Sequence, residues 1–189
     1  MSAGQGAGQG AGQGAGAVVL TVTTPTAQDT RDLGQALAGV LVEGDLLVLT
    51  GPLGAGKTTL TQGIAAGLGV QAAVTSPTFV LARRHAGRPG GPDLVHVDAY
   101  RLASALELED VDLDTAGSAV TVVEWGEGVA EFLTPSRLHI HLDRPTGGEP
   151  GEARSVSVRA VGPGWAGLRR WSLGGVGVVT RLRREVRPR

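Results

Sequence analysis

The sequence predicts an α/β fold, a sandwich of helices around a mostly parallel central sheet, on three observations. Residues 45–50, Asp-Leu-Leu-Val-Leu-Thr, are a nearly continuous apolar run of strand length, the pattern of a central strand buried on both faces. A glycine-rich loop follows at once, and residues 57–68 then carry Leu60, Ile64 and Leu68 at helical spacing. Upstream, Leu33, Leu37, Val40 and Leu41 form the apolar stripe of a helix lying on a sheet.

In chain order, residues 2–16 repeat Gly-Ala-Gly-Gln, which buries nothing apolar and would pay full ordering entropy, so residues 1–16 are expected to be a disordered head. Folding is expected to begin at Ala17, where Ala-Val-Val-Leu-Thr-Val has the composition of a first strand. Polar residues 26–30 can cap a helix that runs to about Val42, with Gly44 ending it. The strand at 45–50 and the helix at 57–68 come next, Gly69 stopping the latter. Further strands are predicted at 79–83, 94–98, 120–124, 138–142 and 155–161, a Gly/Pro-rich turn at 86–92, and a short helix at 102–108. Residues 17–161 therefore read as one domain. Residues 162–189 turn Gly-rich and then Arg-rich, the composition of a loosely ordered extension.

A length of 189 residues suits one such domain with tails. Hydrophobic residues at 41% and charged residues at 19% are a globular balance, and aromatics at 3% leave Val, Leu and Ala to fill the interior. The absence of cysteine excludes disulfides, a Cys-based metal site and a Cys nucleophile. No run approaches the roughly 18 apolar residues of a membrane span, and no basic-then-apolar leader opens the chain, so the expectation is a cytoplasmic protein without a membrane partner. A net charge of −1 argues against a general nucleic-acid binder, DNA included, although seven Arg and one Glu follow Gly162. Sixteen of the seventeen basic residues are Arg; the single lysine is Lys57.

Gly51-Pro-Leu-Gly-Ala-Gly-Lys-Thr58 matches G-x-x-x-x-G-K-[ST] at every position. Glycines let the backbone wrap a phosphate chain closely, so that successive N–H groups and the start of the next helix point at the anion. Gly54, Ala55, Gly56, Lys57, Thr58 and Thr59 are the expected nucleotide-binding residues, Lys57 reaching the β- and γ-phosphates and the Thr58 hydroxyl ligating Mg²⁺. With 31 glycines in the chain a chance match carries weight, but an apolar strand before the loop, a helix pattern after it and the lone lysine at the required place outweigh it. A P-loop NTPase-like sandwich is thus the fold expected. Guanine-specific proteins read their base with Asn-Lys-x-Asp, and this chain has no asparagine and no second lysine, so ATP is preferred. An acid at the end of a buried strand should serve the cation, and two candidates end apolar runs, Asp98 in Leu-Val-His-Val-Asp and Glu124 in Val-Thr-Val-Val-Glu.

Four segments, 51–59, Ser76-Pro-Thr-Phe79, His96-Val-Asp-Ala-Tyr-Arg-Leu102 and Val123-Glu-Trp-Gly126, together resemble the bacterial TsaE-type ATPases, over roughly residues 21–161. That resemblance implies an ATPase supporting threonylcarbamoyladenosine synthesis in tRNA alongside a TsaB–TsaD pair, with tRNA met through those partners. It implies that Thr58 and Glu124 hold Mg²⁺, that Asp98 is an outer or water-orienting acid, and that Lys57, Asp98 and Glu124 are the catalytic set. Trp125 matches an aromatic placed near the nucleotide, with packing as its alternative role; Ser76 and Thr78 lie in a switch-like loop whose surface Tyr100 and Arg101 could share. Pro52 replaces an Asp common in the family and can donate no N–H, but lies outside the glycine-lysine half of the loop. The competing readings are a small-molecule kinase with Arg83, Arg84 and Arg88 as a lid, and a nucleotide-gated interaction module without turnover.

Overall fold

The computed structural model describes residues 16–77, 81–102, 116–144 and 153–165. The predicted short helix at 102–108, Thr78 and Phe79, the repeat head up to residue 15 and the extension beyond residue 165 lie outside the described residues, apart from Leu102 itself. Strands β1 (Ala17–Thr24), β2 (Leu46–Thr50), β3 (Ala82–His85), β4 (Asp93–Asp98), β5 (Ala119–Glu124), β6 (Arg137–Asp143) and β7 (Arg154–Val161) form one sheet in the order β1-β7-β6-β2-β5-β4-β3. Helices α1 (Ala27–Ala38) and α2 (Lys57–Leu68) pack against each other on one face of it.

The four central strands, β6, β2, β5 and β4, are parallel, and antiparallel pairs flank them at β1-β7, β6-β7 and β3-β4. β2 and β5 are buried along their whole length, which explains their unbroken apolar sequences. Leu47 and Leu49, Val120 and Val122, and Leu138, Ile140 and Leu142 turn one face toward Leu33, Leu37, Leu60 and Ile64 of the helices. Leu46, Val48, Val95, Val97 and Val123 form a second, smaller cluster with Ala130, whose one-turn helix (Ala130–Phe132) follows β5. The helices meet backbone to backbone: a Cβ at Gly63 would lie 2.1 Å from the Arg31 carbonyl oxygen, and one at Gly34 only 2.4 Å from that of Leu60.

The start of α1 follows from its sequence. Thr26 accepts from the Asp29 N–H while the Asp29 carboxylate accepts from the Thr26 N–H, a reciprocal cap that satisfies two orphan donors. The end does not. The helix stops at Ala38, where Gly39 weakens it, and the chain tightens through bonds from the Val40 N–H to Leu37 and the Leu41 N–H to Ala38. Val40 and Leu41 stay buried, so the stripe is real although the helix beneath it has ended. Gly44, at φ +84°, instead forms the turn into β2. Gly69 ends α2 as predicted, at φ +81°.

Two further boundaries differ from expectation. Among the described residues the third strand runs over Ala82–His85, two residues past its predicted end at Arg83, because its register is set by antiparallel pairing of His85 with Leu94 and Ala82 with Val97. The packed chain also continues past Val161: Trp165 is buried in the main core, and the Gly164 N–H donates to Ser136 Oγ.

On the sheet face away from α1 and α2, Thr50 Oγ1 lies 3.2 Å from His139 Nε2 and 3.0 Å from His141 Nδ1. Burial holds the pKa of His139 below the ordinary 6.5, opposed by Glu127 and Glu131. Burial does the same at His85, helped by His96 and Arg83. At both positions the unfolded chain takes up protons at a higher pH than the folded chain, so the stability present above 6.5 is lost as pH falls toward the folded-state values. The melting temperature should therefore be lower at about pH 5.5 than at about pH 7.5, and a His85→Gln, His139→Gln double variant should lose less over that interval.

Candidate functional site

β2 delivers the chain to a turn that only glycine can make. Gly51 sits at φ +129°, and a Cβ there would lie 1.9 Å from the Leu142 carbonyl oxygen at the end of β6. The Ala55 N–H closes the loop onto the Pro52 carbonyl at 3.1 Å, and Gly56, at φ +102°, opens α2 with no side-chain cap. The first N–H groups of a helix left uncapped in this way are a ready anion site.

Around this loop is a cavity of about 580 Å³. Gly54, Gly56, Lys57, Thr58 and Thr59 line it from the loop and helix, with Asp98, Glu124, Trp125, Ser76, Tyr100 and Leu53 closing the rest. Ala55 is the predicted residue that does not line it, since its methyl group is packed in the core and only its backbone remains to meet a ligand.

Lys57 Nζ donates to the carbonyl oxygens of Gly51 at 2.8 Å and Pro52 at 3.0 Å and lies 3.6 Å from the Trp125 ring centroid. Burial pulls its pKa below the ordinary lysine value, while the carboxylates of Glu124 and Asp98 push it back up. Trp125 reaches this position at a cost. Its φ of +62° is the left-handed region that an L-residue enters at about 1–2 kcal/mol, and its N–H is held by the Leu49 carbonyl at 2.9 Å. The Tyr100 ring meets it edge-on at 5.3 Å between centroids.

The Thr58 hydroxyl donates to Glu124 Oε2 at 3.1 Å, and His96 Nε2 lies 2.8 Å from Glu124 Oε1. Asp98 accepts from Ser76 Oγ at 2.9 Å and from the Tyr100 N–H at 3.0 Å. The adjacent hydroxyl and carboxylate of Thr58 and Glu124 are hard oxygen donors suited to Mg²⁺. Among the described residues no three His, Asp or Glu side chains cluster to hold a metal, so a cation here would take most of its ligands from water or phosphate, as Mg²⁺ does.

The structure thus brings the predicted Lys57, Thr58, Thr59, Asp98 and Glu124 together, with Ser76, Tyr100 and Trp125 beside them; Arg101 does not line the cavity. Nor do Arg83, Arg84 and Arg88. Arg84 is instead paired with Asp93 at 2.8 Å, whose carboxyl is held below its ordinary pKa first by the Gly87 N–H and then by that guanidinium. Sequence reasoning gave His96 no task, although period-two alternation along β4 puts it on the face of Asp98. His96→Leu would leave the buried Glu124 Oε1 without its donor, and we expect about 1–3 kcal/mol of lost stability by urea denaturation.

Comparison with known proteins now bears on this arrangement. Residues 24–154 match the family described as Threonylcarbamoyl adenosine biosynthesis protein TsaE. A tRNA threonylcarbamoyladenosine biosynthesis protein TsaE from Streptomyces coelicolor is 56% identical over 138 residues, 72% of this chain and 93% of that one. Its counterpart from Bacillus subtilis is 38% identical over 141 residues, 74% and 84% of the two chains. The crystal structure of Bacillus subtilis YdiB superposes with a TM-score of 0.60 at 32% identity, over 76% of this chain and 86% of that one. With most of the sheet, the loop and both acids inside the matched segment, the chain belongs to the TsaE family.

Proposed function

We propose that this protein is the Mg²⁺-dependent ATP-binding and ATP-hydrolysing subunit of the machinery that makes threonylcarbamoyladenosine at position 37 of tRNA, cycling with a TsaB–TsaD complex through which tRNA is met. The observation that carries this reading is the convergence of Lys57, Thr58, Glu124 and Asp98 on one cavity at the mouth of the glycine-rich loop. The pathway comes from family membership and from the names of relatives such as the Streptomyces coelicolor protein.

Each side chain then has a task. The loop N–H groups and the start of α2 bind the phosphates, and Lys57 neutralises the outer ones as a compact cation already desolvated by its surroundings. Thr58 and Glu124 would hold Mg²⁺, which when bound neutralises charge on the phosphate oxygens. His96 fixes the Glu124 carboxylate so that one oxygen remains directed at Thr58. Asp98, held by Ser76 and the Tyr100 amide, would orient the attacking water. Because Ser76 and Tyr100 both touch Asp98, a partner seated on either would alter the acid directly, which makes partner-controlled hydrolysis a natural property of the site.

Lys57→Ala should abolish ATP binding; retained micromolar affinity would remove the phosphate role from the loop. Glu124→Ala should slow hydrolysis on the order of 10²-fold while weakening nucleotide binding less. The decisive assay is steady-state ATP hydrolysis by the full chain, alone and with TsaB–TsaD, with Lys57→Ala as the blank. Stimulation by the pair is expected, and its absence in a mixture that binds ATP would count against the pathway assignment.

A further inference from the structure

The two flanks of β2 do not end together. Pairing with β5 stops at Leu49, opposite Glu124, while pairing with β6 continues to Thr50, opposite His141. Gly51 follows at once, and its carbonyl accepts from Lys57 Nζ at 2.8 Å. Thr50 is thus the last fixed point before the turn that holds the lysine.

Its surroundings set it apart from the rest of the strand. Leu46 and Val48 share its face and pack in an apolar cluster, but Thr50 is buried with its hydroxyl 3.2 Å from His139 Nε2 and 3.0 Å from His141 Nδ1. Register puts Ser157 of β7 and Thr21 of β1 in the same row, so the loop end of this sheet face is polar across four strands, and His141 is exposed on it.

A hydroxyl has one proton to give and lone pairs to accept with. With both rings neutral, Thr50 donates to the bare nitrogen of one and accepts from the N–H of the other. With both protonated, neither nitrogen can accept, the hydroxyl proton is left over, and two cations face one oxygen. His139 favours the neutral form: burial lowers its pKa from the ordinary 6.5, Glu127 and Glu131 oppose this, and Arg137 and His141 add to it. Arg159 stands opposite His139, its guanidinium donating to the Gly16 carbonyl at 3.0 Å, and Asp143 lies two residues beyond His141.

We propose that Thr50 is a positioning residue for the nucleotide site, its hydroxyl bridged by His139 and His141, so that protonation on this polar face loosens the turn carrying Gly51 and weakens nucleotide binding. This rests on the ATP reading above. Because binding needs the bridged form, affinity falls as pH drops below 6.5 through the folded-state value of His139.

The test is isothermal titration of the full chain with Mg²⁺-ATP at about pH 8 and about pH 6, well below the melting temperature. Thr50→Val, which keeps the shape and loses the hydroxyl, should bind about fivefold more weakly at the higher pH, the size of a lost hydrogen bond, whereas Thr50→Ser should stay within about twofold of the parent. Parent and Thr50→Ser should weaken by about a further fivefold at the lower pH, and Thr50→Val should not; a pH effect shared by every variant belongs to the ligand. A His139→Gln, His141→Asn double variant, whose amides reach the hydroxyl without titrating, should lack the parent's fall. Parent-like affinity in Thr50→Val, or the parent's fall intact in the double variant, would overturn the proposal. If the parent binds no Mg²⁺-ATP, the ATP reading fails by itself, and amide hydrogen exchange over residues 51–56 then judges the bridge. There Thr50→Val should exchange about fivefold faster than Thr50→Ser, and equal rates would overturn it.

Discussion

The parallel register of β2, β5 and β4 is the constraint on which the rest of the site depends. Leu49 is paired with Glu124 and Glu124 with Asp98, so both carboxylates are held level with the last turn of chain before the glycine-rich loop. The ladder continues past the strand ends, with the Trp125 N–H on Leu49 and the Ala99 N–H on Glu124. Side chains alternate with a period of two, so a slip of one residue would turn Glu124 to the opposite face and bury Val123 against the helices. The unbroken burial of β2 and β5 makes such a slip expensive. Precision at the site is therefore a by-product of the core beneath it.

That core also sustains local arrangements that would not persist alone. Lys57 is desolvated and Trp125 occupies a left-handed conformation. Each disfavours folding, and each sits at the rim of one cavity. Such costs gather where a ligand can repay them. An anion arriving at the loop would meet a lysine already stripped of water.

Much of this was legible in the sequence because the signals were local or periodic. The apolar runs of β2 and β5, the Lys57–Leu68 helix with its glycine stop, and the acids at strand ends all depend on neighbours within a dozen residues. What was illegible depended on pairing at a distance. Nothing in the alternation of β7 says that it runs antiparallel between β1 and β6, since hydrophobicity carries no strand direction. The position of β3 is set by its partner β4, and the early end of α1 by a glycine that the apolar stripe overrides in any count of spacing. Arg144 and Arg154 meet Gly54 across 90 and 100 residues and are hidden among sixteen arginines.

That abundance of arginine sharpens the meaning of the one lysine. In a chain that uses Arg at every other cationic position, position 57 keeps Lys, and the structure gives a steric and electrostatic reason. Nζ is gripped by two successive carbonyls, of Gly51 and Pro52, and capped by the face of Trp125 at 3.6 Å. A compact ammonium offers three donors that can be turned to such a pocket, and then toward an incoming oxygen, by rotation about a single bond. A guanidinium is a rigid planar fork. Its width would collide with the loop that wraps it, and its fixed donors could not serve two carbonyls on one side and a ligand on the other. The closed turn therefore takes a point charge and not a planar one.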